Sequence, residues 1–184
     1  MKITIVVENY TNRADLIPEY GLSVHIADGD ASLLMDTGQR AALFTNAPLL
    51  GIDLPALKHV ILSHGHFDHA GALARLLMQT KDPLLWAHPA VLDLHSRFRG
   101  GRMAFIGCHL NREAVRFREI TGLTRITDNV FAMEIPADAR NPEFVNTPEH
   151  LVLPLEDGTT VTDPFTDDIS LVVRFAGDAL AFTA

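Results

Sequence analysis

With 184 residues, 47% of them hydrophobic, the chain is long enough for one domain with a sizeable core. A formal net charge of −8 argues against nucleic-acid binding through a basic surface. A single cysteine, Cys108, allows no internal disulfide and fits a reducing compartment, and no apolar run reaches the roughly eighteen residues of a membrane helix.

The N-terminus, Met1-Lys2-Ile3-Thr4-Ile5-Val6-Val7, is a short strand pattern rather than a charged segment followed by an apolar one, so a soluble, cytoplasmic protein without a membrane partner is expected. Ile3 to Val7 reads as a buried strand and Glu8 to Arg13 as a polar loop. Leu22 to Ala27 and Ser32 to Met35 read as strands joined by Asp28-Gly29-Asp30, whose Asp-Gly step favours a hairpin. Asp36 then stands at a strand end. It can serve a local Asp-Thr-Gly turn, or accept a hydrogen bond from the far nitrogen of a metal-bound histidine and fix its tautomer. Arg40 to Leu50 reads as a helix stopped by Gly51, and Leu54 to Leu57 as a short turn.

The chemistry is concentrated next. An apolar run, His59 to Leu62, leads into Ser63-His64-Gly65-His66-Phe67-Asp68-His69-Ala70-Gly71, and Gly71 to Met78 follows as a helix with Leu73, Leu76 and Leu77 at helical spacing. This strand–loop–helix unit puts its polar groups at the carboxyl end of the strand, where open α/β sheets place ligands. His64 and His66 are two apart, so in an extended segment both imidazoles reach toward one metal ion. Asp68 and His69 fall where the backbone turns into the helix, facing away from that pair, and can hold a second ion. Two divalent ions roughly 3.5–4 Å apart can share a hydroxide and clamp both oxygens of a displacement. Gly65, lacking a Cβ, lets the loop bend closely. The alternative is a solvated, inert histidine-rich loop; four ligand-type residues in this order before a helix argue against it.

Beyond the motif, Pro83 to Ala87 reads as a short strand ending at His88-Pro89, with a helix from Ala90 to Ser96. His88 either closes a turn, the commoner role, or faces the cleft and touches substrate. Arg97-Phe98-Arg99-Gly100-Gly101-Arg102 reads as a solvated basic loop rather than a phosphate grip, and Met103 to Ile106 as a strand. Cys108 and His109 lack a spaced partner and are expected to be structural. Asn111 should cap a helix running to about Ile120. Strands are expected over Thr124–Thr127, Val130–Ile135, Leu151–Leu153, Ile169–Arg174 and Leu180–Phe182, with a hairpin turn at Asp157-Gly158. Pro136 to His150 is a polar stretch long enough for a functional loop or lid. Of Asp163, Asp167 and Asp168, one could bond a ligand histidine or a metal, with turn and cap roles expected for most.

His64-x-His66-x-Asp68-His69 resembles the metal-binding signature of the metallo-β-lactamase-fold hydrolases, and Leu33-Leu34-Met35-Asp36-Thr37-Gly38 looks like the strand and turn preceding it. Val7-Glu8-Asn9, Tyr20-Gly21-Leu22-Ser23, Ser63 to Leu73 and Asp163-Pro164-Phe165-Thr166-Asp167-Asp168 are similar to segments of the dihydropterin-type phosphate synthase subgroup. The resemblance implies an α/β protein, an αβ/βα four-layer sandwich made by a single domain over 1–184. It implies two divalent metal ions, zinc above all with manganese or iron open, held by His64, His66, Asp68 and His69. Asp36 would stand behind the ligands, Asp68 would be catalytic, and His88 would be the candidate for touching substrate. Superfamily members of this type have further histidine ligands past the strand that here ends at Phe182-Thr183-Ala184, so the C-terminal part is expected to be missing and the second half of the sandwich incomplete. The exposed sheet edge this leaves points to association into a homo-oligomer. The expected activity of the complete protein is metal-dependent hydrolysis of an ester or phosphoester in a small, anionic or pterin-related substrate. A non-catalytic metal-binding scaffold and a di-iron redox protein on the same fold are the alternatives.

Overall fold

A computed structural model of the chain describes residues 1–136, 140 and 148–182. Strands β1 (Lys2–Val7), β2 (Ser23–Asp28) and β3 (Ala31–Met35) form an antiparallel meander that turns at Gly29, where φ is +58°. Helix α1 (Ala42–Leu49) then crosses over to β4 (His59–Ile61), which pairs parallel to β3. The short helices α2 (Phe67–Ala70) and α3 (Leu73–Gln79) carry the chain to β5 (Leu84–Ala87), again parallel. A hairpin of β6 (Ser96–Arg99) and β7 (Arg102–Phe105) follows, and then β8 (Arg116–Glu119) completes a six-stranded sheet of order β1-β2-β3-β4-β5-β8. The rest of the described chain is β9 (Leu123–Arg125), β10 (Val130–Glu134), β11 (Leu151–Pro154), β12 (Thr160–Thr162), β13 (Ile169–Phe175) and β14 (Asp178–Phe182). They build a sheet β14-β13-β10-β9 and, with the hairpin, a smaller one of order β12-β11-β6-β7.

Side-chain alternation along the strands explains the layers. On one face of the six-stranded sheet Leu34, Val60, Leu62 and Leu85 pack against Leu43 of α1 and Leu73 and Leu76 of α3. On the opposite face Ile26, Leu33, Met35 and Ile61 meet Val130, Ala132, Ile169, Leu171 and Val173 of the second sheet. Both faces of the central strands are therefore apolar, as parallel strands covered on two sides require. The outer face of the second sheet carries the half-buried Phe131 and Val172 and the exposed Met133; the α-helices of the described residues all lie on the other side of the molecule. Helices, sheet and sheet make up the layers of an αβ/βα sandwich whose outermost layer is not seen among the described residues. None of these helices is long and apolar enough to cross a membrane.

Three expectations from sequence are corrected. The helix over Ala90–Ser96 is only a 3-10 turn, Pro89–Leu92, because His88 caps it by accepting the Ala90 N–H and Ser96 already belongs to β6. The basic stretch Arg97–Arg102 is not a loop but the turn and flanks of the β6–β7 hairpin. Gly100 and Gly101, at φ +59° and +72°, supply the left-handed pair that a tight hairpin needs. The helix expected over Asn111–Ile120 is one 3-10 turn, Arg112–Ala114, followed by β8. Val115 and Phe117 pack on the helix-side core while Ile120 enters the core between the sheets, so pairing with β5 overrides a strong cap signal. The expected lid, Pro136 to His150, falls largely outside the described residues, as does the end at Thr183-Ala184.

Leu34 is fully buried beneath the helices, whereas Leu49 is 51% exposed. Leu34→Ala should lower the unfolding free energy by about 2–5 kcal/mol, and Leu49→Ala should stay within about 0.5 kcal/mol of the parent, as read from urea denaturation.

Candidate metal centre

The centre is assembled where β3 and β4 end. Asp36 leaves β3 with φ +57°, a left-handed conformation that a non-glycine residue adopts only when its surroundings hold it there. Its N–H donates to Ile61 O at 2.8 Å, and its fully buried carboxylate turns onto the segment following β4. Oδ1 accepts the Ser63 N–H at 2.7 Å; Oδ2 accepts the Ser63 hydroxyl at 2.7 Å and Nδ1 of His69 at 2.8 Å. The Ser63 hydroxyl, its hydrogen engaged by Asp36, is left to accept a hydrogen bond from Nδ1 of His64 at 3.0 Å.

A second buried carboxylate serves His66. Asp163, on the loop between β12 and β13, accepts on Oδ2 both Nε2 of His66 at 3.0 Å and Nδ1 of His95 at 2.6 Å. Its Oδ1 accepts the N–H of Phe165, itself held at φ +50°. On the same loop Asp167 Oδ2 accepts the Gly65 N–H at 2.6 Å and lies 3.2 Å from Nε2 of His95, close enough for an ion pair though poorly aligned for a hydrogen bond. Gly65 is required here for space: a Cβ would stand 2.3 Å from Val91 O and 2.9 Å from the His95 ring. Gly21 does the same behind the motif, at φ +122°, where a Cβ would stand 1.9 Å from the Asp68 carbonyl.

An ionised carboxylate only accepts, so each ring nitrogen facing Asp36 or Asp163 carries a proton. The tautomers follow: His69 is protonated on Nδ1, His64 on Nδ1 through Ser63, and His66 on Nε2. That leaves Nε2 of His64, Nδ1 of His66 and Nε2 of His69 with lone pairs. Among the described residues the first two have no hydrogen-bond partner, and the third lies 3.6 Å from Asp68 Oδ2. The rings are neighbours, His64 standing 4.8 Å from His66 and 4.3 Å from His69 between centroids. Phe165 lies against both His64 and His66, at 5.7 and 4.7 Å.

The electrostatics divide the histidines. Burial, reinforced by the neighbouring His69, His66 and His95, holds His64 well below the usual histidine range, so its ring stays neutral. Burial also opposes charge on His69, but Asp36, Asp68 and Asp168 outweigh it and raise its pKa. At His95 burial is outweighed by the carboxylates of Asp163 and Asp167, which push the ring up to about 10. Asp163 is correspondingly lowered, its two histidine partners and the Phe165 N–H overcoming the cost of burial. Asp168, half-buried and close to Asp167 and Asp36, is raised to about 6.

Of the residues singled out in sequence, His64, His66, Asp68, His69 and Asp36 are thus brought together. His88 makes other contacts: Nδ1 caps the Pro89 turn by accepting the Ala90 N–H, and Nε2 lies 3.8 Å from Glu134. His95 was missed, because the sequence assigned it to a helix and nothing near it in the chain marks it as a ligand or a partner. Asp163 is one of the three carboxylates of which one is expected to bond a motif histidine or a metal, and it is the one that meets His66. Yet His66, His95 and Asp163 bring ligand-type atoms within 4.8 Å of one another, a grouping that could itself hold an ion.

The model of the metallo-beta-lactamase superfamily matches residues 16–183, and the chain belongs to that superfamily. It is 26% identical over 188 aligned residues to the 7,8-dihydropterin-6-methyl-4-(beta-D-ribofuranosyl)-aminobenzene-5'-phosphate synthase of Methanocaldococcus jannaschii, covering 94% of this chain and 63% of that protein. The crystal structure of Tm1679, a metal-dependent hydrolase of the beta-lactamase superfamily, is 27% identical with a TM-score of 0.75, over 98% of this chain and 64% of its own. The Rm3 metallo-beta-lactamase shares the fold, with a TM-score of 0.54 at 19% identity over 89% of this chain and 55% of its own. The chain therefore spans less than two thirds of the length of the synthase and of Tm1679.

The His95–Asp163 pair sets a sign for stability against pH. A histidine raised to about 10 on folding contributes stability that is complete below its unfolded value near 6.5 and is lost as pH rises through about 10. Asp163, being lowered, loses its contribution only in acid. The thermal midpoint of chelator-treated protein should therefore fall between pH 7 and 10, and His95→Gln should flatten that fall. Cys108, pushed up to about 12 by burial, adds its own decline at the alkaline end in both proteins, so the difference between them isolates His95.

Proposed function

We propose that the chain carries an ion-holding centre of a metal-dependent hydrolase acting on an ester or phosphoester. The observation that supports this is the tautomer pattern: three clustered histidines each spend one ring nitrogen on a buried support and keep the other for an ion. Metal-bound histidines characteristically have a carboxylate or carbonyl behind them in this way. Imidazole nitrogen and carboxylate oxygen suit zinc, manganese and iron. His64, His66 and His69 would hold the ions together with Asp68, whose side chain is 23% exposed beside His69. Bound there, divalent ions supply Lewis acidity and lower the pKa of a water toward about 7.

The chain's own residues do the rest. His64, kept neutral by burial, offers its lone pair at neutral pH without first releasing a proton. Asp36 prevents the His69 ring from turning over, and Asp163 does the same for His66. Asp68 is the carboxylate placed to orient an attacking water and accept its proton. Asp163 is read here as a support and not a ligand, since 2.6 and 3.0 Å to two ring nitrogens are hydrogen-bond separations. The similarity to the phosphate synthase supports a phosphorylated, pterin-type small molecule as the substrate of the whole protein.

Elemental analysis of purified protein tests the reading. About two zinc or manganese ions per chain are expected, with loss of metal in His66→Ala. Hydrolysis of a chromogenic phosphodiester or lactone should disappear with chelator, return with metal, and fall about 10²-fold or more in Asp68→Asn at retained metal content. Iron in place of zinc would move the assignment to redox chemistry. Absence of metal from the parent would overturn it.

A further inference from the structure

We infer that His95 is a positioning residue: it spans Asp163 and Asp167 and thereby fixes which nitrogen His66 turns toward an ion. The contacts form a closed circuit on two adjacent residues of the motif. Starting at the Gly65 N–H, the path runs to Asp167 Oδ2 (2.6 Å), on to His95 Nε2 (3.2 Å), through the ring to Nδ1 and Asp163 Oδ2 (2.6 Å), and back to His66 Nε2 (3.0 Å). Each side chain in the circuit is sealed from water, the exposures being 2% for His95, 1% for Asp163, 0% for Asp167 and 7% for His66. The His95 ring also fills the space beside Gly65 that any other residue's Cβ would need.

Removing His95 would break the circuit at two points. Asp163 and Asp167 would face each other as buried carboxylates without the ring between them, an arrangement of uncompensated buried charge that is strongly unfavourable. Asp167 has little to fall back on, since its Oδ1 has no hydrogen-bond partner among the described residues. Relaxation would carry Asp163 away from His66, and an unsupported imidazole exchanges between its two tautomers, one of which places the proton on Nδ1. His95 therefore acts on the ion only through His66. The purpose of the circuit rests on the metal-holding reading above, but the tautomer lock does not and can be measured without metal.

The experiment is imidazole 15N NMR on full-length chelator-treated protein, parent and His95→Gln, followed by zinc titration against a chromogenic chelator. The parent should show His66 as a single species, protonated on Nε2 and bare on Nδ1. In His95→Gln the two His66 nitrogens should average toward each other, and zinc should bind about 10–100-fold more weakly. On loading the parent, His66 Nδ1 should shift while His95 keeps both ring partners. Should His95→Gln fail to fold, Asp167→Asn breaks the same circuit and is expected to loosen His66 likewise. A His66 tautomer that is mixed in the parent, or unchanged in a folded variant, overturns the inference, as does zinc binding at His95 itself. A locked His66 in a parent that takes up no zinc upholds the circuit and defeats the metal-holding reading instead.

Discussion

A buried carboxylate accepts hydrogen bonds and cannot donate them, and everything at this centre follows from where two of them sit. Asp36 and Asp163 each face a histidine ring, and each thereby puts a proton on the near nitrogen and a lone pair on the far one. Ser63 extends the rule by one step, its hydroxyl donating a hydrogen bond to Asp36 and accepting one from Nδ1 of His64. Desolvating such carboxylates is expensive unless their oxygens are filled, and here they are: Asp36 accepts three bonds and Asp163 accepts three. The supports are stable because they are saturated. Being saturated, they leave the histidines no freedom to turn.

The backbone shows where this arrangement is forced. Asp36 and Phe165 both hold positive φ, which costs of order 1–3 kcal/mol each. At Asp36 the turn aims the carboxylate across the end of β4 instead of along β3. At Phe165 it folds the chain back so that Asp163 and Asp167, four residues apart, both reach the motif. Arg140 braces this second turn, donating to the carbonyls of Pro164 and Phe165. Strain at two points and saturation of two carboxylates belong to one construction, in which the hydrogen bonds offset what the backbone costs.

The motif itself was legible because its information is local. Residue type and spacing from His64 to His69, together with an apolar run before it, specify a histidine–aspartate cluster at a strand end, and the Asp-Gly steps specify their hairpins. Asp36 could be suspected because it closes the preceding strand. His95 could not be, because its role depends on two carboxylates 68 and 72 positions further along and on the missing Cβ of Gly65. Strand β8 failed for the same reason. Arg116–Glu119 has an edge of β5 to pair with, a fact no window of sequence contains, and that pairing outweighs a cap at Asn111. Strands β1 to β5 of the six-stranded sheet could be read from their own residues and β8 could not; that one of Asp163, Asp167 and Asp168 meets a motif histidine could be suspected, but not which one, nor that His95 joins two of them.

This split between local and distant information has a physical counterpart in how the centre forms. The Asp36 bonds to Ser63 and His69 span 27 and 33 residues and lie inside the first sheet. The Asp167 bond to Gly65 and the Asp163 contact with His66 span 102 and 97, and exist only when the second sheet has docked. The docking is anchored at the motif itself, where the N–H of Ile169, first residue of β13, donates to Ser63 O at 2.9 Å. Closing the longer loops costs more chain entropy. His64 and His69 are therefore aligned by the first sheet alone, whereas His66 is aligned by the contact between sheets. An ion held by all three, as proposed, would reward the docked state over the undocked one, so that ion binding and sheet docking would stabilise each other by linkage.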